Sequence, residues 1–199
     1  RAFAKEIIFG GTPSLSRQGL GSIATLMLNV AAGAFGDAAI AGMSIVTRIS
    51  FFTYAMVIGL GQGFQPLCGF CYGAKLYGRV KEAFFFCIKC GTVFLSVCAL
   101  LGFIFSTSII SIFRDDAAVV AVGSVALRWQ VLSFPLVASI VLTNMLMQTI
   151  RKPVRANIVA AARSGLFFIP LIFILPYFFG LLGVEMCQMW ADCCSFAVA

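Results

Sequence analysis

The chain has 199 residues, of which 61% are apolar and only 11% are charged, and its formal net charge is +7. About 25% of the residues of an ordinary soluble domain are charged, and a domain of this size cannot bury so much apolar surface. The composition therefore excludes a soluble enzyme, a disordered chain and a secreted disulfide scaffold, and it indicates a protein of the lipid bilayer.

Six apolar segments are predicted to be membrane-spanning helices, each of which needs about 20 residues, and the last of them is cut short. The segments lack the period-two alternation of barrel strands, and a helix satisfies its own backbone groups in lipid. In chain order the predicted spans are Gly11–Phe35, Ala38–Phe64, Phe84–Phe113, Val119–Ile150, Ala156–Phe179 and a sixth that starts near Val184. We therefore predict an all-α, polytopic membrane protein in which residues 1–199 form a single six-helix transmembrane bundle with a truncated last helix.

The loops between the predicted spans differ in charge. The start of the chain and two alternate loops carry eight cations, namely Arg1, Lys5, Lys75, Arg79, Lys81, Arg151, Lys152 and Arg155. The loops on the other side carry one cation, Arg114. Because cytoplasmic loops are enriched in Lys and Arg, we predict that both ends of the chain are cytoplasmic. The basic loops face anionic lipid headgroups, and no nucleic-acid partner is expected.

The two ends of the chain suggest a piece of a longer protein. The chain begins at Arg1 without a Met, and it stops at Ala199 inside an apolar run. The first apolar stretch is too long for a cleavable signal peptide and contains Arg17 and Gln18. We therefore expect a fragment, or one half of a longer membrane protein.

Two Cys-x-x-Cys pairs, Cys68 with Cys71 and Cys87 with Cys90, have the spacing of a four-cysteine zinc site. The first pair alone also resembles a redox dithiol. Both pairs lie at or within predicted spans, where cysteine acts as a small apolar residue. The chain contains no His. We therefore expect no metal site, no cofactor and no catalytic residues.

Polar side chains inside the spans are candidates for a substrate or ion path, because their burial in lipid costs free energy. Asp192 is the only acid well inside a predicted span. Its carboxyl group can exchange a proton, attract a cation, or pair with Arg163 or Arg17. For the other polar residues the structural alternatives are interhelical hydrogen bonds, ion pairs and snorkelling. The candidates are Arg17, Gln18, Asn29, Arg48, Asn144, Gln148 and Asp192.

Glycine and proline are concentrated at the cytoplasmic end of the second span. Glycine admits unusual backbone angles and close helix contact, and Pro66 removes one helical hydrogen bond. The segment is either a helix end that enters a loop or a hinge that flexes during a transport cycle. The hinge candidates are Gly61, Gln62, Gly63, Gln65 and Pro66.

Several of these segments together resemble one transporter family. They are Gly11-Thr12-Pro13-Ser14, Arg17-Gln18-Gly19-Leu20, Gly61-Gln62-Gly63-Phe64-Gln65-Pro66, Tyr72-Gly73-Ala74-Lys75 and Trp190-Ala191-Asp192. Over nearly its whole length the chain resembles the carboxy-terminal half of the multidrug and toxic compound extrusion (MATE) transporters, most specifically in its first 80 residues. The resemblance implies one half of a twelve-helix antiporter that exports organic, often cationic drugs in exchange for Na⁺ or H⁺.

The same resemblance implies the partners of the chain: the bilayer, the amino-terminal six-helix bundle and small organic substrates. Some members carry an acidic cation ligand in the first helix of this half, but here Glu6 and Asp37 lie only at the ends of that helix. The coupling-ion site is therefore expected in the missing half. One alternative is a lipid-linked precursor flippase of the same superfamily, which should carry more cations towards its cleft. The other is a non-transporting membrane fragment.

Overall fold

A computed structural model describes the backbone of residues 2–199 and the side chains of residues 18–199 apart from Pro153 and Ser164. Over this range the backbone is helical and forms no strand, which confirms the all-α prediction. The helices are α1 (Ala2–Gly33), α2 (Asp37–Gly73), α3 (Tyr77–Ile104), α4 (Ser106–Phe113), α5 (Ala117–Thr149), α6 (Pro153–Ala161), α7 (Phe168–Phe179) and α8 (Leu181–Val198). A π-helical turn, Ala162–Leu166, connects α6 to α7.

The eight helices correspond to the six predicted spans, two of which are broken. The third predicted span comprises α3 and α4, and the fifth comprises α6, the π-helical turn and α7. Helix α2 continues beyond the predicted end of the second span at Phe64, through Pro66 to Gly73. Within the described residues, α2, α3 and α5 are long and apolar enough to cross a membrane by length and composition, and α7 is a shorter apolar helix.

The break in the third span brings α4 against α5. The Nε of Arg128 in α5 donates to the Oγ of Ser106, the first residue of α4 (2.9 Å). Further along, Ile110 packs so closely on Gly123 that a Cβ built at this glycine would lie 3.0 Å from the Ile110 Cγ2. These contacts favour a turn towards α5 over a straight continuation of α3, and hydropathy cannot reveal them because both helices are apolar.

The π-helical turn shifts the buried positions of the fifth span by one residue. In α6 the buried side chains include Ala156 and Ala160, and a continuous α-helix would place the next ones near residues 163–164 and 167. Beyond the turn the structure buries Phe168 and Ile172, one residue later than this spacing. A π-helical turn contains one extra residue, and this residue accounts for the offset.

Helix α5 is the centre of the bundle. In its most apolar 18-residue window 61% of the residues are buried, compared with 17% in α3. The main core surrounds Leu127, Val131 and Phe134 of α5, and a smaller cluster joins Phe64 and Cys68 of α2 to α3 and α5. Helix α3 leaves large side chains exposed, including Phe85, Phe86 and Val93. In a bilayer such an apolar outer face lies against lipid.

Two short connections end their helices with a cation in the left-handed backbone region. Lys75 after α2 has φ 60° and Arg151 after α5 has φ 57°. Beyond Lys75, the Leu76 N–H donates to the Cys71 carbonyl oxygen (2.8 Å). This bond closes the helix end in the way that a C-terminal glycine usually does. The positive side chains also complement the negative end of each helix dipole.

The orientation in the membrane is a prediction that labelling can test. A cysteine introduced beside Asp115 should react with an impermeant thiol reagent in intact cells. A cysteine beside Arg151 should react only after the membrane is permeabilised, because the basic loops are retained in the cytoplasm. The native cysteines must first be replaced, and the reversed labelling pattern would contradict the predicted topology.

Candidate functional site

A pocket of about 180 Å³ lies between α1, α2, α5, the π-helical turn, α7 and α8. Its walls are apolar at Leu28, Met43 and Phe168. Its polar lining is Thr25, Thr47, Ser50, Tyr54, Gln130, Arg163 and Gln188. Pockets with apolar walls and a few polar groups are the usual form of small-molecule sites.

An ion pair forms one side of the pocket. The Nε of Arg163 lies 2.7 Å from the Oδ1 of Asp192. Asp192 lies on α8 and is fully buried, whereas the Arg163 side chain, in the π-helical turn, is 21% exposed. Asp192 is absent from the pocket lining. Arg163 therefore belongs to the pocket lining, and the carboxylate that neutralises it does not.

Asp192 is held by three donors. Besides Arg163, Gln188 donates through Nε2 to the Oδ1 (3.1 Å), and the Ser133 hydroxyl donates to the Oδ2 (2.8 Å). The network continues from Ser133 through Gln130, whose Nε2 donates to the Tyr54 hydroxyl (3.0 Å). Charge-assisted hydrogen bonds of this kind are the strong ones in a protein interior. They connect α2, α5 and α8 around the pocket.

Arg163 also stacks on an aromatic ring. Its Cζ lies 4.8 Å from the centroid of the Tyr54 ring, within the range of a cation–π interaction. Its Nε donates to Asp192, and Arg163 is itself a residue of the pocket lining.

Three buried side-chain oxygens have no partner among the described residues, and one of them is the Oδ1 of Asn157. The Oγ of Ser50, in the pocket lining, has no hydrogen bond although the residue is only 7% exposed. The Oε2 of Glu185, on α8, is also unpaired, and this residue is 3% exposed. Glu185, at the predicted start of the sixth span, is thus a second buried acid on α8 beside Asp192, which lies well inside that span.

The other predicted path residues whose side chains the structure describes do not line the pocket. Asn144 donates through Nδ2 to the Ala156 carbonyl oxygen (2.6 Å) and accepts from the Nε2 of Gln148 (2.7 Å). These contacts connect α5 to α6, as expected for a structural amide. On α1 and α2, Gln18 and Arg48 are exposed and Asn29 is half-buried. The side chain of Arg17 lies outside the described residues.

The site contains residues that the sequence did not single out. Tyr54, Ser133 and Gln188 look ordinary in apolar helices, and Ser50 carries no sequence signal. From the sequence, Arg163 is indicated only as one of two possible partners for Asp192. A search for polar residues that share a face with Asp192 would have found Gln188, which lies one helical turn before it.

The hinge candidates lie within a continuous helix. Gln62, Gly63 and Pro66 are exposed, Gln65 is half-buried, and Gly61 is buried. A Cβ built on Gly61 would collide with the Met145 side chain of α5, whereas the Cβ of Gly63 would meet nothing within 4 Å. Gly61 therefore permits close helix contact, and the hinge role of the segment remains a prediction.

Alanine substitutions separate the two roles of these glycines. Gly59→Ala with Gly63→Ala should stiffen α2 without a new contact, because both positions face open space. Each change favours the helix by up to about 1 kcal/mol, enough to shift a two-state equilibrium about fivefold. If α2 flexes here, the export rate of the full-length transporter should fall while substrate binding persists. Unchanged export by a well-folded double variant would contradict the hinge.

The paired cysteines pack within the bundle. Cys68, Cys71 and Cys87 are buried in the smaller apolar cluster, and Cys90 is exposed. In the described part of the chain, no three His, Cys, Asp or Glu residues are grouped as a metal site would require.

Comparison with a family model and with curated proteins points to the same group of relatives. A model of the MatE family matches residues 13–174. The multidrug export protein MepA of Staphylococcus saprophyticus is 28% identical over 188 residues, which are 94% of this chain and 41% of MepA. MepA of Staphylococcus haemolyticus is 27% identical over 98% of this chain and 43% of its own length. The chain thus spans about two fifths of the length of these curated relatives.

Solved structures share the fold. A mutant of the Vibrio cholerae MATE transporter VcmN superposes with a TM-score of 0.92 at 18% identity, over 98% of this chain and 45% of that one. An outward-facing multidrug resistance MATE family transporter of the MOP superfamily gives a TM-score of 0.91 at 20% identity, over 100% of this chain and 45% of that one. The described helices therefore have the arrangement of one half of such a transporter.

Proposed function

The chain belongs to the MatE family of transporters, which are not enzymes, and we propose that it is one half of a secondary active exporter of small organic compounds. The resemblance found in the sequence is thereby confirmed at the level of the family. In this proposal a second six-helix bundle completes the transporter, and the substrates cross between the two bundles in exchange for Na⁺ or H⁺. The observation that carries the proposal is the polar-lined pocket inside an apolar helical bundle.

The pocket supports transport because its polar groups are costly inside a membrane protein. Tyr54, Gln130 and Arg163 have interior positions on three different elements, and polar groups at such depth usually mark substrate or ion paths. The apolar wall at Met43 and Phe168 suits the apolar part of an organic substrate. A purely structural bundle would have no need for an open space of this composition.

We propose that the coupling ion binds mainly in the complementary half. Asp192 already accepts hydrogen bonds from Arg163, Gln188 and Ser133, so both of its carboxylate oxygens have partners within this half. Glu185 is the other buried acid of the described membrane helices. Its replacement therefore tests whether the coupling acid lies in this half. We expect Glu185→Gln to retain ion-driven transport, and its loss would relocate the coupling acid to this half.

Transport by the full-length protein in proteoliposomes tests the function. An imposed Na⁺ or H⁺ gradient should drive uptake of a fluorescent organic substrate, and dissipation of that gradient by an ionophore should stop it. Empty liposomes are the control. Uptake that is independent of both gradients would contradict a secondary antiporter.

A flippase for lipid-linked pyrophosphates is the weaker candidate. Such a head group needs several cations in one place. In the described pocket lining Arg163 is the charged residue, and Asp192 neutralises it. Arg48 is exposed, and Arg128 binds Ser106 elsewhere. The described residues therefore offer no cation cluster for a pyrophosphate.

A further inference from the structure

We propose that the pocket binds the hydrogen-bond-accepting, anionic end of a substrate, such as a carboxylate carried by an aromatic or aliphatic body, in preference to an organic cation. The inference rests on the proposed transport function and specifies the substrate class of this half. It arises from two donors on the pocket wall, the Arg163 guanidinium and the Ser50 hydroxyl.

The first reason is the arrangement of charge. Asp192 is fully buried behind Arg163 and is absent from the lining, which among the described residues contains no carboxylate. An entering group therefore meets the positive partner of the ion pair first. A cationic head group would approach like charge without an acid to receive it, whereas a carboxylate would find charge-assisted donors.

The second reason is that a cation of the protein already lies over the Tyr54 ring. Organic cations are commonly held over the faces of aromatic side chains. Here the Arg163 guanidinium already lies 4.8 Å from the centre of the Tyr54 ring. A resident cation thus already occupies the Tyr54 ring. The other aromatic rings of the lining are Phe51 and Phe168, and no acidic residue of the described lining accompanies them.

The third reason is independent of charge. Ser50 is buried in the lining and its hydroxyl has no partner among the described residues. A buried hydroxyl without a hydrogen bond is destabilising, so a ligand acceptor would gain by pairing with it. Ser50 precedes Tyr54 by one helical turn on α2, and residues four apart lie on the same helix face. Ser50 therefore shares a wall with the stacked Arg163.

Together these features describe a two-part ligand. Arg163 and Ser50 supply donors for one acceptor group, and Leu28, Met43 and Phe168 supply apolar surface for the body. Three probes that share an aromatic body separate the possibilities: 2-naphthoate, its methyl ester, and a naphthyltrimethylammonium ion. Their affinities are measured by calorimetry on the purified full-length transporter.

Ser50→Ala removes one donor and little volume. It should weaken 2-naphthoate binding about tenfold, as expected for one hydrogen bond to a charged group. It should weaken the ester less and leave the ammonium ion unchanged. The matched control is Ser124→Ala, because the Ser124 hydroxyl donates to the Ala121 carbonyl oxygen of its own helix outside the pocket.

The double variant Arg163→Gln with Asp192→Asn removes the guanidinium without leaving an unpaired charge. It should weaken 2-naphthoate at least tenfold more than the ester. The inference is overturned if neither variant reduces naphthoate binding, or if either one reduces binding of the ammonium ion instead. Should the double variant fail to fold, the Ser50→Ala result alone decides. Ion-driven transport of any probe is measured in parallel, and its persistence would leave the proposed function intact when the carboxylate preference fails.

Discussion

Replacing Arg163 by Gln is expected to destabilise the bundle by about 3–5 kcal/mol, the usual cost of removing one partner of a buried ion pair. Asp192 is 0% exposed, so the single change leaves its carboxylate without a countercharge. Asp192→Asn should cost less, because Arg163 is partly exposed to the pocket and keeps its stacking on Tyr54. The two partners of one ion pair are therefore expected to differ in effect.

The measurement is the midpoint of heat inactivation of the purified full-length transporter, followed by size-exclusion chromatography. The double variant Arg163→Gln with Asp192→Asn should recover most of the lost stability, because no charge remains unpaired. Arg48→Gln is the matched control, since Arg48 is exposed. A double variant as unstable as Arg163→Gln alone would show that the guanidinium stabilises the fold by packing and not as a countercharge.

The second large effect is expected at Gly183, near the start of α8. A Cβ at this position would overlap the Leu175 carbonyl group and the Pro176 nitrogen of α7. These neighbours are backbone atoms, so a side-chain rotation cannot relieve the clash. Gly183→Ala should therefore separate α7 from α8 and destabilise the bundle by about 3 kcal/mol, the upper range for overpacking.

Yield and heat resistance of the folded transporter report this change. Gly21→Ala is the control, because a Cβ on Gly21 meets nothing within 4 Å and alanine favours a helix interior. Gly183→Ala should reduce both quantities strongly and Gly21→Ala neither. If the two variants behave alike, α7 and α8 lie further apart at Leu175 than they do in the structure.

The number and type of the spans could be predicted because lipid imposes one dominant requirement. Each helix needs a long apolar stretch, and charges collect in the loops. The breaks near Phe105 and Gly165 could not be predicted in this way. They depend on contacts such as Arg128 with Ser106 and on helix register, and neither changes the apolar character of the sequence.

The site could be predicted only where a residue is unusual in its own segment. Asp192 stands out as an acid in an apolar helix, and Arg163 as a cation in another, so their pairing was among the stated alternatives. Ser133 and Tyr54 are common residues whose role comes from helices far apart in the chain. Glu185 was missed because it lies one residue inside the predicted start of the sixth span.

The π-helical turn also determines which small genetic changes the fifth span tolerates. Deletion of one residue between Ala162 and Leu166 would leave the hydropathy profile almost unchanged, yet it would restore regular winding. Because the π-helical turn holds one extra residue, Phe168 and Ile172 would then keep their places in the core. A one-residue deletion within α6 or α7 would instead rotate everything after it by about 100°. The fifth span should therefore tolerate the loss of a residue in this turn better than the same loss in the flanking helices.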